Sequence, residues 1–168
     1  NAQTEDAPGL LVKDLMQDGF PAVSPYTSIE QIAAIFMESG TDYVLVIDEG
    51  GHAAGIITEA DLFIKEERLP RTDVTYLALF GQPIEVGSIQ SAYRHMRDLY
   101  RADEIMTQPV MTIDCGQPVD EAIALFVKYG YQQIPVTEAV GREHPRVIGM
   151  LTRAGLIRRF LTLSENDL

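Results

Sequence analysis

Apolar positions along the chain follow two spacings, one typical of helices and one typical of buried strands. An apolar stripe over 29–36 recurs every three to four residues and predicts an amphipathic helix, with Ser28 as its N-cap. A nearly continuous apolar run over 43–47 predicts a buried strand. Acidic residues and glycines over 48–51 indicate a turn, so 53–57 is predicted to be the returning strand.

This pattern occurs twice. Residues 12–46 align with 102–136 at a constant offset of 90, and 55–62 align with 149–156 at an offset of 94. The additional residues of the second copy fall among 139–146, a turn rich in glycine, proline and charge, where insertions cost little free energy. Each copy predicts a strand, a helix, two strands and a helix, so the predicted fold class is α/β.

A long insert separates the two copies. The first copy spans 10–67, the insert 68–100 and the second copy 101–163. The insert is too apolar for a disordered linker. Within it, 74–80 is predicted to be either a strand or a packing loop, and 89–100 is predicted to be a helix.

The charge of the chain is distributed unevenly. The net charge is −12, and residues 1–67 carry 13 acidic residues against only Lys13 and Lys65. Residues 68–168 are close to neutral, with 12 acidic and 11 basic residues. A nucleic-acid-binding protein usually carries a basic patch that displaces phosphate counterions. We therefore expect no direct contact with nucleic acid.

The sequence lacks the signals of a membrane-spanning protein, a secreted protein, a metal-binding protein and an enzyme. No apolar run approaches the roughly 18 residues that span a bilayer, and residues 1–9 lack a signal-peptide pattern, which favours a cytoplasmic protein without membrane insertion. Cys115 is the only cysteine, and His52, His95 and His144 lack metal-ligand spacing, so no metal site is predicted. No nucleophile–base pair or phosphate-binding loop indicates an enzyme.

Two short motifs suggest a family, one present in both copies and one complete only in the first. Asp14-Leu15-Met16 in the first copy corresponds to Glu104-Ile105-Met106 in the second. A Gly-hydrophobic-x-Thr-x-x-Asp motif over 55–61 joins the last strand to the last helix. With the order of elements, these motifs resemble the CBS domain, and two such repeats resemble a Bateman module of the bacterial stand-alone type.

The resemblance implies an architecture and a class of ligand. It implies two β-α-β-β-α repeats packed with pseudo-twofold symmetry, with two clefts between them. Such clefts commonly bind AMP, ADP, ATP or S-adenosylmethionine, and such modules often pair into homodimers. The resemblance therefore implies a regulatory module that senses an adenosine compound through a conformational or dimer change.

Thr58 and Asp61 are the leading candidates for ligand contact. In nucleotide-binding CBS domains the matching aspartate usually contacts the ribose, and the matching threonine contacts the phosphate. A carboxylate can accept hydrogen bonds from both ribose hydroxyls, and a hydroxyl beside helix N-terminal amides suits a phosphate. The alternative is that the two side chains only cap the helix that follows.

The adenine ring needs a flat apolar slot with main-chain hydrogen bonds at its edge. By family position, this slot would be lined by Phe20, Pro21, Ala22, Val23, Tyr43 and Val44, with Ile56 beneath it. Tyr43 and Val44 also belong to the predicted buried strand, so a purely structural role in the core is the alternative for both.

The second copy departs from the family pattern. Gly155 occupies the position of the aspartate, which puts ribose recognition there in doubt. Thr152 remains, and Arg153 follows it, either as a charge for a phosphate or as an exposed arginine at a helix start. The second slot would include Thr112, Gln133 and Ile134. We therefore predict one good site around Asp61 and a second site that is weak, altered or empty.

The expected function is an adenine-nucleotide sensor that needs no cofactor, with Mg²⁺ arriving only with ATP. A structural dimerisation module without a ligand and a sensor of S-adenosylmethionine are the alternatives. The expected partners are the small-molecule ligand, a second copy of the chain and an effector protein that the sequence does not identify. The sequence leaves open whether the chain is a complete sensor or part of a larger protein.

Overall fold

The computed structural model describes residues 9–62, 76–79, 82–85, 100–139, 141 and 143–166. The predicted helix over 89–100 lies outside these ranges except for Tyr100, as do residues 63–67 of the first copy. The helices are α1 (Val12–Leu15), α2 (Ile29–Ser39), α3 (Glu59–Leu62), α4 (Ala102–Ile105), α5 (Val119–Tyr129) and α6 (Arg153–Asn166). The strands are β1 (Ala22–Val23), β2 (Tyr43–Ile47), β3 (Ala53–Thr58), β4 (Tyr76–Leu79), β5 (Gln82–Glu85), β6 (Ile113–Asp114), β7 (Gln133–Thr137) and β8 (Val147–Thr152).

Two three-stranded sheets share one topology. In the order β1-β2-β3, the first pair is parallel and the second antiparallel, and the sheet β6-β7-β8 repeats this arrangement. Tyr43 lies opposite Thr58 in one hairpin, and Gln133 lies opposite Thr152 in the other. The α/β class and the two repeats predicted from the sequence are confirmed.

Capping residues set the bounds of the longer helices. The Ser28 hydroxyl accepts a hydrogen bond from the Gln31 N–H at 3.3 Å, which confirms Ser28 as the N-cap of α2. Gly40 and Gly130 end α2 and α5 in the left-handed region, with φ of 62° and 69°. A side chain is disfavoured at this φ, and glycine therefore ends both helices at the same place in each repeat.

The chain forms two compact units that differ from the sequence repeats. The first unit is Pro21–Val110, and the second unit combines Asn1–Phe20 with Met111–Leu168. Helix α1 belongs to the first repeat in sequence but packs in the core of the second unit through Val12. Helix α4 belongs to the second repeat in sequence but packs in the core of the first unit through Ala102 and Ile105. Each unit therefore completes its core with the first helix of the other repeat.

In each unit, a methionine that follows α4 or α1 packs on a glycine of the sheet. In the first unit, a Cβ on Gly55 would collide with the side chain of Met106, which follows α4. In the second unit, a Cβ on Gly149 would lie 2.6 Å from the sulfur of Met16, which follows α1. The absence of a side chain on each glycine permits this close approach.

Part of the insert is a separate hairpin. Strands β4 and β5 pair in antiparallel register, with Tyr76 opposite Glu85. Of the two alternatives predicted for 74–80, a strand is present over 76–79.

Candidate functional site

The candidate site begins where β3 meets α3, a segment we call the first turn (58–61). Thr58 is the last residue of β3, and α3 starts at the next residue. Oδ2 of Asp61 accepts a hydrogen bond from the Thr58 N–H at 2.8 Å and another from the Thr58 hydroxyl at 3.2 Å. The capping contact considered for this pair is therefore present. Within the described residues no donor reaches the other oxygen, Oδ1, which leaves it able to accept from a ligand.

The predicted adenine slot divides between two faces of the first sheet. Directly opposed residues of neighbouring strands share a face. Tyr43 is opposite Thr58, whereas Val44 is opposite Ile57. Val44 belongs to the hydrophobic core of the first unit, and Val23 packs against that core. The side chain of Val44 is therefore committed to the core, and the half-buried side chain of Val23 packs against that core, which leaves mainly their main chain to meet a ligand.

The other face of the sheet holds the remaining slot residues of the first unit. Ala22 and Ile56 both lie opposite Leu45, and Tyr43 and Thr58 follow on the same face. Pro21 precedes β1, and its carbonyl accepts a hydrogen bond from the Leu45 N–H at 2.9 Å.

Phe20 lies at the boundary between the two units. It is the last residue of the N-terminal segment of the second unit, while Pro21 is the first residue of the first unit. The structure therefore brings Ala22, Tyr43 and Ile56 to one face of the sheet, and the role of Phe20 stays a prediction.

Tyr43 is nearly inaccessible, with 6% of its surface exposed. Its burial, and secondarily the negative charge of Asp42, raise the pKa of Tyr43 to about 12. The phenol is therefore neutral at physiological pH.

The second turn (152–155), where β8 meets α6, has different contacts. The Thr152 hydroxyl accepts a hydrogen bond from the Gly155 N–H at 3.0 Å, which is an N-cap contact. The carboxylate that would return a bond to the Thr152 N–H is missing, because residue 155 is glycine. Gln133 lies opposite Thr152, as Tyr43 lies opposite Thr58, while Ile134 faces the core of the second unit. Thr112 immediately precedes β6 and is half-buried.

Arg153 donates hydrogen bonds to two main-chain carbonyls of the second unit. Its Nη2 donates a hydrogen bond to the Phe126 carbonyl at 2.9 Å, and its backbone N–H donates to the Gln132 carbonyl at 2.9 Å. Phe126 lies in the last turn of α5, where a cation is favoured, and its carbonyl also accepts a hydrogen bond from the Gly130 N–H at 3.0 Å. The guanidinium of Arg153 is thus engaged at the end of α5, and phosphate binding stays a prediction that would compete with this contact.

Sequence reasoning missed one residue beside the second turn. The carboxamide of Gln17 lies next to Gly155, and a Cβ on Gly155 would be 3.1 Å from its Nε2. The alignment of the two copies already contained a signal for this contact. Gln17 aligns with Thr107, and Gly155 aligns with Asp61, so the two differences fall together in space.

The described ranges of the chain contain no group of three or more histidine, cysteine, aspartate or glutamate residues suited to hold a metal ion. In those same ranges, every helix is too short or too polar to cross a membrane.

The sequence profile of the CBS domain matches residues 12–66 and 102–162. An uncharacterised protein of Methanopyrus kandleri is 28% identical over 80% of this chain. The L-aspartate semialdehyde sulfurtransferase of Methanocaldococcus jannaschii is 26% identical over 92% of it. The chain spans 55% of the first relative and 24% of the second. It spans 94% of a CBS domain-containing protein of Dictyostelium discoideum, at 26% identity over 93% of this chain.

Solved structures share the fold. The CBS-pair protein CBSX2 of Arabidopsis thaliana superposes with a TM-score of 0.71 at 19% identity, covering 94% of this chain and 99% of that one. CBSX2 has also been solved in complex with AMP, with a TM-score of 0.66 at 19% identity over 93% of this chain and 99% of that one. The CBS domain pair of protein MJ0100, solved with 5′-methylthioadenosine and S-adenosyl-L-methionine, has a TM-score of 0.61 at 24% identity, covering 92% and 98%.

Proposed function

Because this chain belongs to the CBS domain family and carries two repeats, we propose that it is a regulatory module that binds an adenosine compound at the first turn. The observation that carries the proposal is the Asp61 carboxylate, which Thr58 holds through one oxygen while Oδ1 accepts no bond from the described residues. The role we propose is ligand sensing. The chain spans only 24% of the sulfurtransferase relative, so we do not extend that activity to it.

Ribose is the group that suits Asp61. An ionised carboxylate only accepts hydrogen bonds and has about four lone-pair positions. Two of these are used by Thr58, which leaves acceptor capacity for a pair of adjacent hydroxyls. Hydrogen bonds to a charged group contribute about 1.5–3 kcal/mol, which is more than a neutral acceptor would give.

Thr58 suits a phosphate only after a local change. Its single hydroxyl proton is directed to Asp61 at 3.2 Å, so a phosphate oxygen would have to draw that proton away. The Thr58 N–H would still hold the carboxylate at 2.8 Å. Ribose binding by Asp61 and phosphate binding by Thr58 are therefore compatible.

The adenine ring would lie against the face of the sheet that carries Ala22, Tyr43 and Ile56. This face is apolar apart from the Tyr43 hydroxyl and Thr58, as expected for an adenine slot. The strand residues Val23 and Val44 would contribute main-chain groups for the most part, since their side chains pack in or against the core.

The charge of the first repeat favours ligands with little negative charge. Residues 14–64 contain no lysine or arginine, and Glu59 and Asp61 both lie in the first turn of α3. A polyphosphate would meet repulsion here unless Mg²⁺ accompanied it, whereas one phosphate brings less charge. Within the nucleotides, we therefore propose AMP ahead of ADP and ATP.

S-adenosylmethionine is the second candidate ligand. Its sulfonium is cationic, and the same surplus of acidic residues in the first repeat attracts a cation. The MJ0100 domain pair was solved with this compound and with 5′-methylthioadenosine, while CBSX2 was solved with AMP.

Isothermal titration of AMP, ADP, ATP and S-adenosylmethionine into the ligand-free protein tests the proposal. We expect saturable binding of at least one compound near one site per chain, and its loss in Asp61→Ala. Glu59→Gln is the matched control, because Glu59 is an exposed carboxylate in the same turn of α3. The absence of binding by all four compounds to folded protein would contradict the proposal.

That negative result would favour the other candidate, a dimerisation module without a ligand. Helix α6 exposes the apolar side chains of Ile157, Phe160 and Leu161, with 56%, 41% and 63% of their surfaces accessible. Exposed apolar groups on one helix suit contact with a second copy of the chain. Light scattering of the wild type and Phe160→Ser would show whether the chain dimerises through α6.

A further inference from the structure

The second turn and the residue beside it differ from the first turn at two aligned positions. Residue 155 is glycine where the first turn has Asp61, and the side chain of Gln17 extends to it. A Cβ on Gly155 would be 3.1 Å from Nε2 of Gln17 and 2.7 Å from the Thr152 hydroxyl. The space that a residue-155 side chain would enter is therefore next to the Gln17 carboxamide.

The backbone places Gln17 as it places Thr107 in the first unit. Gln17 exchanges two hydrogen bonds with Met150, of 2.8 Å and 2.9 Å. Thr107 exchanges two with Ile56, of 2.8 Å and 3.0 Å. Since the main-chain pairing is the same, the two turns differ here in side chains. A short threonine accompanies the aspartate, and a long glutamine accompanies the glycine.

We infer that Gln17 is a specificity-determining residue of the second turn, where its carboxamide replaces the carboxylate that Asp61 supplies in the first. The inference rests on the proposed function, because it concerns recognition of the same ligand class. A carboxamide is neutral and offers one acceptor oxygen and one donor group, whereas a carboxylate offers acceptors only. Hydrogen bonds of the neutral carboxamide to ribose hydroxyls are weaker than those of a carboxylate. The second turn therefore binds ribose much more weakly than the first, and the chain takes up one adenosine compound rather than two.

The inference predicts that aspartate at position 155 alone does not create a second site. Its Cβ would lie 2.7 Å from the Thr152 hydroxyl, which would have to move, and 3.1 Å from Nε2 of Gln17, which would have to shift only slightly. The Thr152 hydroxyl can rotate to donate to the new carboxylate, as the Thr58 hydroxyl donates to Asp61. The Gln17 side chain is flexible, so the variant folds, but its carboxamide stays beside the new carboxylate and competes with ribose for it.

The test compares Gly155→Asp, Gln17→Thr and the double variant by titration with AMP and with S-adenosylmethionine. We expect one site per chain in the wild type and in each single variant, and two sites in the double variant. Adding Asp61→Ala to the double variant should leave one site, at the second turn. A second site in Gly155→Asp alone, with the affinity of the double variant, would overturn the inference. An unchanged stoichiometry in the folded double variant would overturn it as well.

Urea unfolding tests the Gln17–Gly155 contact without any ligand. Gly155→Asp should lower the unfolding midpoint more in the presence of Gln17 than in the Gln17→Thr background, because the two side chains compete for space. Equal shifts in both backgrounds would overturn the inference. A wild type that binds none of AMP, ADP, ATP and S-adenosylmethionine would instead contradict the proposed function, and the unfolding comparison would be unaffected.

Discussion

Asp61 holds Thr58 through a single carboxylate oxygen, with 2.8 Å from Oδ2 to the Thr58 N–H and 3.2 Å to the Thr58 hydroxyl. The pair caps the start of α3 and also fixes the orientation of the carboxylate. The candidate ligand contact and the helix cap therefore share one residue. Any substitution of Asp61 will change stability as well as binding, and the two effects need separate controls.

Asp61→Ala should lower the free energy of unfolding by about 0.5–2 kcal/mol, the usual range for a lost helix cap. Asp61→Asn should cost less, because its amide oxygen can still accept from the Thr58 N–H. Urea unfolding measures both. Asp14→Ala is a matched control, since Asp14 accepts the Leu11 N–H at 2.9 Å at the start of α1. It should lower stability and leave ligand affinity unchanged.

Gly55→Ala should destabilise the first unit by about 1–3 kcal/mol, because the added methyl group overpacks the contact with Met106. The penalty should largely vanish when it is measured in a Met106→Ala background. Gly19→Ala serves as the control, since nothing lies within 4 Å of a Cβ there. A Gly55→Ala penalty that is equal in both backgrounds would contradict the proposed packing of Met106 on Gly55.

Arg153→Ala should lower the free energy of unfolding by about 1–2 kcal/mol, because the end of α5 loses the guanidinium that meets the Phe126 carbonyl. Ligand affinity at the first turn should not change. Arg158→Ala, on the exposed surface of α6, is the matched control for charge and should have little effect. Unaltered stability combined with weaker binding of AMP would instead assign Arg153 to the ligand.

Stability should fall at alkaline pH through Tyr43. Burial raises the pKa of Tyr43 from 10.0 to about 12, so the unfolded chain loses this proton at a lower pH than the folded chain. The contribution is complete below pH 10 and is lost between pH 10 and about 12, by about 3 kcal/mol. Unfolding of wild type and Tyr43→Phe across this range should show a steeper decline in the wild type. Parallel declines would contradict the assignment.

The local pattern of the chain predicted most of the elements. Apolar periodicity identified α2 and its Ser28 cap, and the repeat identified the second set of elements at its offset of 90. These features depend on neighbours within a few residues. The exchange of α1 and α4 between the units could not be predicted this way, because it depends on contacts between segments far apart along the chain. The Val12 N–H donates to the Gln117 carbonyl at 2.8 Å, and the Ala102 N–H donates to the Thr27 carbonyl at 2.9 Å.

The candidate site was predictable in part. The motif over 55–61 identified Thr58 and Asp61, and the structure places Thr58 at the end of β3 and Asp61 in the first turn of α3. The core role of the Val44 side chain also followed from the apolar run. The contact of Gln17 with Gly155 and that of Arg153 with Phe126 required the fold, since each joins residues that no motif connects.

A crystal structure with the tightest-binding adenosine compound is the most direct test of the central claim. We predict that the ribose hydroxyls lie within hydrogen-bonding distance of the Asp61 carboxylate, while Oδ2 keeps its bond from the Thr58 N–H. The base should lie beside Tyr43 and Ile56. A ligand bound elsewhere, with Asp61 contacting only Thr58, would show that this carboxylate is a helix cap alone and would contradict the account.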